Sequence, residues 1–210
     1  MTSKTVGSVA KDISAKLPIF TAKGGLLIAL PLEHALRAVL LDRSSFDAER
    51  FYVHVFVQLL CIPFPHIFLD VGWRVGGGAH AWSRSDPDLI EKLTRALAGE
   101  PCRFLAPIQS PEDVAAAALS LHAPRNLGVQ QTVAFAFARA GDYGRAVVEM
   151  GALLDLLGDR PGWEREMAQQ TRQLIAQLTG EPEAVTRQLD LWEEETARAL
   201  RVNQFRVTKV

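Results

Sequence analysis

From Arg50 to Leu60 the chain alternates strictly. Phe51, Val53, Val55, Val57 and Leu59 fall on one side of an extended strand, and Tyr52, His54, Phe56, Gln58 and Leu60 on the other. The first set is wholly apolar and the second mixed, so this segment demands a sheet with a buried face and excludes an all-helical fold. A second alternating run, Ile67 to Val75, follows the turn segment IPFPH. Two such runs joined by a short proline-containing loop predict an antiparallel pair with Phe51, Val53, Val55 and Val57 in the core.

Upstream, Val6, Val9, Ala10, Ile13 and Leu17 recur at helical spacing, which predicts an amphipathic helix over 3–17 ended by Pro18. Gly25–Leu30, bounded by Gly24 and Pro31, reads as a buried strand. Residues 34–42 fit helix by composition and strand by position. After Gly76-Gly77-Gly78 and a loop with His80 and Trp82, the character changes. Asp86-Pro87-Asp88 predicts a helix start with proline in the first turn, running to about Ala98 and stopped by Gly99. Ser110-Pro111-Glu112-Asp113 is a capping box opening an alanine-rich helix to about Leu121. Further helices are expected near 127–140, 143–157, 162–178 and 183–200, separated by glycine- and proline-bearing breaks.

The predicted fold class is therefore α+β: a small antiparallel sheet with one N-terminal helix, followed by an antiparallel helical array. The expected division is 1–84 for the sheet region, 85–202 for the helical array and 203–210 for a tail. One continuous domain remains an equal alternative, because the connection is only about ten residues long.

Residues 127–158 resemble one tetratricopeptide-type helix pair. Ala134 is small where two helices approach, and Phe137 lies on the same face. Gly141-Asp142-Tyr143 makes the turn, and Ala146 is small again on the second helix. Leu153 and Gly158 depart from the pattern, and 162–200 reads as a degenerate second unit. A generic antiparallel helix pair with a glycine turn accounts for the same residues. The resemblance implies a helical surface suited to binding a protein.

The 210 residues carry a formal net charge of −1, so no basic stripe points to nucleic acid. The opening MTSKTVGSVAKDISAKL has no apolar leader segment, and no apolar run is long enough to span a bilayer. Cys61 and Cys102 have no CxxC neighbour. These features predict a cytoplasmic protein without a membrane or nucleic-acid partner.

The sequence carries no GxSxG, HExxH, phosphate loop, dinucleotide fingerprint or paired-cysteine zinc pattern, and no cofactor is implied. His34, His66, His80 and His122 have no partner at metal-ligand spacing. The most suggestive polar set is on the strand pair. The expected register puts His54 opposite Gly72, with Asp70 and Arg74 as diagonal neighbours, an arrangement suited to a general base beside an anion-holding guanidinium. A solvated sheet face with a salt bridge explains the same set. Trp192, Glu193 and Glu195 on the last helix are candidate partner-binding residues, or else a solvated face with the tryptophan turned inward. The reading that follows is a non-enzymatic protein-binding module of adaptor, chaperone or toxin-immunity type. The alternative is a small hydrolase-like enzyme using His54, Asp70 and Arg74.

Overall fold

The computed structural model describes residues 4–78, 80–121, 126–158 and 161–207. The fold is α+β, as the patterning requires, and the chain falls into two compact units. The first comprises residues up to Val57, Phe68–Ile108 and the segment from Phe205. The second comprises Gln58–Ile67 and Gln109–Gln204. The boundary expected at 84/85 thus lies inside the first unit.

In the first unit, helix α1 (Val6–Lys16) begins at Thr5, whose hydroxyl accepts the Ser8 N–H at 3.1 Å. Its buried stripe of Val6, Val9, Ala10 and Ile13 packs on strands β1 (Phe20–Lys23), β2 (Leu26–Ala29) and β3 (Ala35–Arg43). Residues 34–42 are thereby resolved in favour of strand. The sheet continues with β4 (Arg50–Leu59) and β5 (Gly72–Arg74) in the order β1-β2-β3-β4-β5, and β6 (Trp82–Ser83) pairs with the start of β4. Phe51, Val53, Val55 and Val57 are all buried, as the alternation predicts.

The second alternating run forms ladder over only three residues, although backbone bonds Val75 N–H to Val53 and Val57 N–H to Val71 flank it. The rest of the run is diverted because Leu59, Leu60, Cys61 and Ile62 are buried as part of the second unit, and Pro63 and Pro65 have no N–H to give a ladder. Helix α2 (Leu89–Ala98) starts later than expected. Asp86 accepts the Asp88 N–H at 2.9 Å in a turn of its own, and Pro87 lies in that turn, not in the helix. A short helix α3 (Glu100–Leu105), with Pro101 in its first turn, follows at once and has no counterpart in the sequence reading. Trp73 meets Phe104 edge-on at 4.8 Å, and buried Arg37 donates to the carbonyls of Pro31 and Leu105 at 2.9 and 3.4 Å. The described part of the segment expected as a tail, which reaches Val207, is tied down. Arg206 bridges to Leu32, and the Val207 N–H donates to the Leu32 carbonyl at 3.1 Å.

The second unit is built around α5 (Leu127–Ala140), with all eleven residues from Gly128 to Ala138 buried. Eight of the eleven are apolar or glycine and three, Gln130, Gln131 and Thr132, are polar, and a helix with so little solvent face must be enclosed around its circumference. Helices α4 (Pro111–Leu121), α6 (Tyr143–Leu157) and α8 (Pro182–Ala199) pack against it, and α7 (Trp163–Gly180) bridges α6 and α8. The capping box of α4 is reciprocal, Asp113 accepting from Ser110 and Ser110 from Asp113. Gly141, at φ 85°, closes α5 with paired bonds from the Gly141 and Asp142 amides to Ala138 and Phe137. Asp142 then caps α6 through the Arg145 N–H. Ala134 and Ala146 are fully buried.

Candidate functional site

On β4, Tyr52 and His54 share the half-buried face. The register puts His54 directly opposite Arg74 and Phe56 opposite Gly72, two residues from the expected alignment. Gly72 suits that alignment, because a Cβ there would stand 2.1 Å from the Val55 carbonyl oxygen. The backbone bonds at 53/75 and 57/71 make His54–Arg74 a non-hydrogen-bonded pair, the kind whose side chains come closest. The Arg74 guanidinium lies 4.1 Å over the Tyr52 ring and donates to the Gly78 carbonyl at 2.5 Å. Asp70 lies before β5, four residues short of Arg74, so it is not the diagonal neighbour of His54. The carboxylate that acts on His54 is Asp42 of β3. Burial, then the Arg74 charge, hold the His54 imidazole below its ordinary titration range, against the opposing pull of Asp42. The ring is therefore biased to the neutral form, which accepts a proton or donates one hydrogen bond.

In the second unit, Trp192 and Glu193 face inward. Trp192 stacks on Phe135 with ring centroids 6.1 Å apart, and the Glu193 side chain is 0% exposed. Glu193 Oε1 lies 2.8 Å from Arg139 Nε, and Arg139 Nη2 lies 2.7 Å from Asp190 Oδ1, the arginine side chain being only 6% exposed. Glu195 alone of the three candidates is exposed. The helical period explains the split. Val185, Leu189, Trp192, Glu193 and Thr196 lie on the buried side, whereas Leu191, Glu194, Glu195 and Arg198 face solvent. Thr196 Oγ1 donates to the Ile62 carbonyl at 3.2 Å, and Gln58 Nε2 donates to that of His66 at 3.2 Å. Cys61 is enclosed beside Arg139 and Glu193, and its thiol is pushed far up, by burial first and the Glu193 charge second.

Arg139 and Asp42 did not enter the sequence reading. Arg139 left one signal, a lone cation near the end of a helix otherwise rich in alanine, valine and phenylalanine. Asp42 left none, because its relation to His54 depends on strand order. Of the histidines, His34 is half-buried, His66 and His80 are exposed, and His122 lies outside the described residues. Both cysteines are free. Among the described residues no three His, Cys, Asp or Glu side chains gather as metal ligands, and no helix is long and apolar enough to cross a membrane. An open cleft of about 450 Å³ between α1 and α2 is rimmed by Lys4, Asp12, Lys16, Asp88 and Glu91. Compared with protein-family models, curated protein sequences and solved structures, the chain matches none.

Proposed function

We propose that this chain is a protein-binding module that works through the outer surface of its helical unit, in the manner of an adaptor, a chaperone or a toxin-immunity protein. One observation carries the reading. The helices around buried α5 are held in place from within, yet they present large apolar side chains to water: Val148 on α6 is 69% exposed, Trp163 on α7 52% and Leu191 on α8 54%. Side chains pre-ordered by their helices lose little freedom on association, which favours recognition over a flexible surface. Aromatic anchors such as Trp163 are the residues that most often dominate protein interfaces. The resemblance of α5 and α6 to a tetratricopeptide-type pair agrees with this use. A near-neutral net charge gives no support to a nucleic-acid partner.

The test uses the whole chain, because a fragment starting near Asp86 would lack Gln58–Ile67, which belongs to the helical unit. Tagged wild type and the variants Val148→Asp, Trp163→Ala and Leu191→Asp are used to capture partners from the native organism. The reading expects one shared partner, lost in at least one variant whose melting temperature is unchanged. It is overturned if all three variants keep every partner, or if His54→Ala removes a measured hydrolytic activity from a fully folded protein. The latter result would establish the small-enzyme alternative.

A further inference from the structure

We propose that His54 and Arg74 form an acid-triggered release for the segment after β5. When His54 takes up a proton, two cations face each other across the strand pair, and Arg74 leaves its seat on Tyr52 and Gly78. The proposal stands apart from the binding role of the helical unit, since every residue in it belongs to the first unit.

The segment is held lightly. Gly76 and Gly77 have φ of 91° and 88° and carry no side chains, so backbone turns and a few side-chain ties must order it. The turns are the bonds from the Gly77 N–H to Arg74 and from the His80 N–H to Gly77, at 3.1 and 3.3 Å. The side-chain ties are the Arg74 bond to the Gly78 carbonyl and the edge-on contact of His80 with Trp82 at 4.8 Å. Arg74 is thus the one cation seen to fasten the segment among the described residues, and His54 sits directly opposite it.

Like charges opposite each other at a non-hydrogen-bonded position destabilise a strand pair. The elements on either side of His54 contribute few other charges. β3 brings Asp42, β5 brings Arg74, Tyr52 precedes it on β4, and β6 has only Trp82 and Ser83. Asp42 draws the proton on, and Arg74 together with burial opposes it. Because the fastened state favours neutral His54, its advantage is complete above the ordinary histidine range, near pH 6.5. It fades as the pH falls from there through the depressed value.

Amide exchange of Gly76–Gly78, His80 and Ala81, corrected for the intrinsic pH dependence, tests this on the full chain. Wild type should lose about 3- to 10-fold of its protection between pH 7.5 and pH 5.0, in step with the NMR titration of the His54 ring. His54→Asn should show no such change, Arg74→Gln should show low protection at both pH values, and His80→Asn, which removes the other tie, should show lower protection at both pH values but keep the wild-type fold-loss on acidification. Loss of protection out of step with His54, no loss in wild type, or an unchanged loss in His54→Asn would each overturn the proposal. The His54 titration in wild type keeps the test decisive even where a variant folds poorly.

Discussion

Replacing Arg139 by methionine would strand Glu193 inside the helical unit. In the native protein the carboxylate, wholly buried, receives the guanidinium at 2.8 Å, and the neighbouring Cys61 offers no compensating charge. Removing one partner of a buried ion pair costs about 3–5 kcal/mol, most of it the desolvation of the group left behind. The second contact of Arg139, to Asp190, adds little, since Asp190 is 42% exposed and screened by water. With a urea slope of about 3 kcal/mol per molar, the midpoint should fall by roughly 1–1.7 M. The double variant Arg139→Met/Glu193→Leu buries no charge and should return close to wild-type stability or exceed it. Urea denaturation of the three proteins measures this. The reasoning fails if Arg139→Met costs under about 1 kcal/mol, or if the double variant is no more stable than the single.

Val55→Asp places an unpaired carboxylate in the core of the sheet and should cost several kcal/mol, read as a lowered denaturation midpoint. Ala146→Leu adds volume to a fully buried site on α6 and should cost roughly 1–3 kcal/mol, whereas an unchanged melting temperature would mean the helix gives way freely. Gly72→Ala sets a Cβ against the Val55 carbonyl and the Phe56 backbone, so the β4–β5 pair should loosen and the amide protection of Gly72–Arg74 should drop.

The helices from α4 onward were legible because their signals are local. Ser110 and Asp113 cap one start, Asn126 and Asp142 cap two more, and Gly141 closes α5 with a left-handed residue. The alternation over 50–60 likewise fixed β4 and its buried side. What escaped depends on partners remote in sequence. Nothing near Ile67–Val75 announces that the preceding residues belong to another unit, so the length of β5 was unreadable. The alignment of His54 with Arg74 differs from that with Gly72 by two residues, and both keep the same side chains on the same face. Glu193 looked like part of an acidic helix face, and only the opposing Arg139 turns it inward. The β1 strand and the start of α2 were missed for a simpler reason. Four residues are too few for a periodic signal, and an aspartate turn imitates a cap.

The interleaving of the two units sets an order on synthesis. Leu59–Ile62 emerge from the ribosome early, but the hydroxyl that secures Ile62 belongs to Thr196, 134 residues later. At about 5–20 residues per second, that apolar stretch waits on the order of ten seconds for its last helix. The first unit waits as well, because Leu32 is bridged by Arg206 and Val207. The first unit therefore receives its closing segment only after every residue of the second has been made. A nascent chain halted near Gly180 would display the Leu59–Ile62 stretch without α8, and would be a ready substrate for chaperones and proteases.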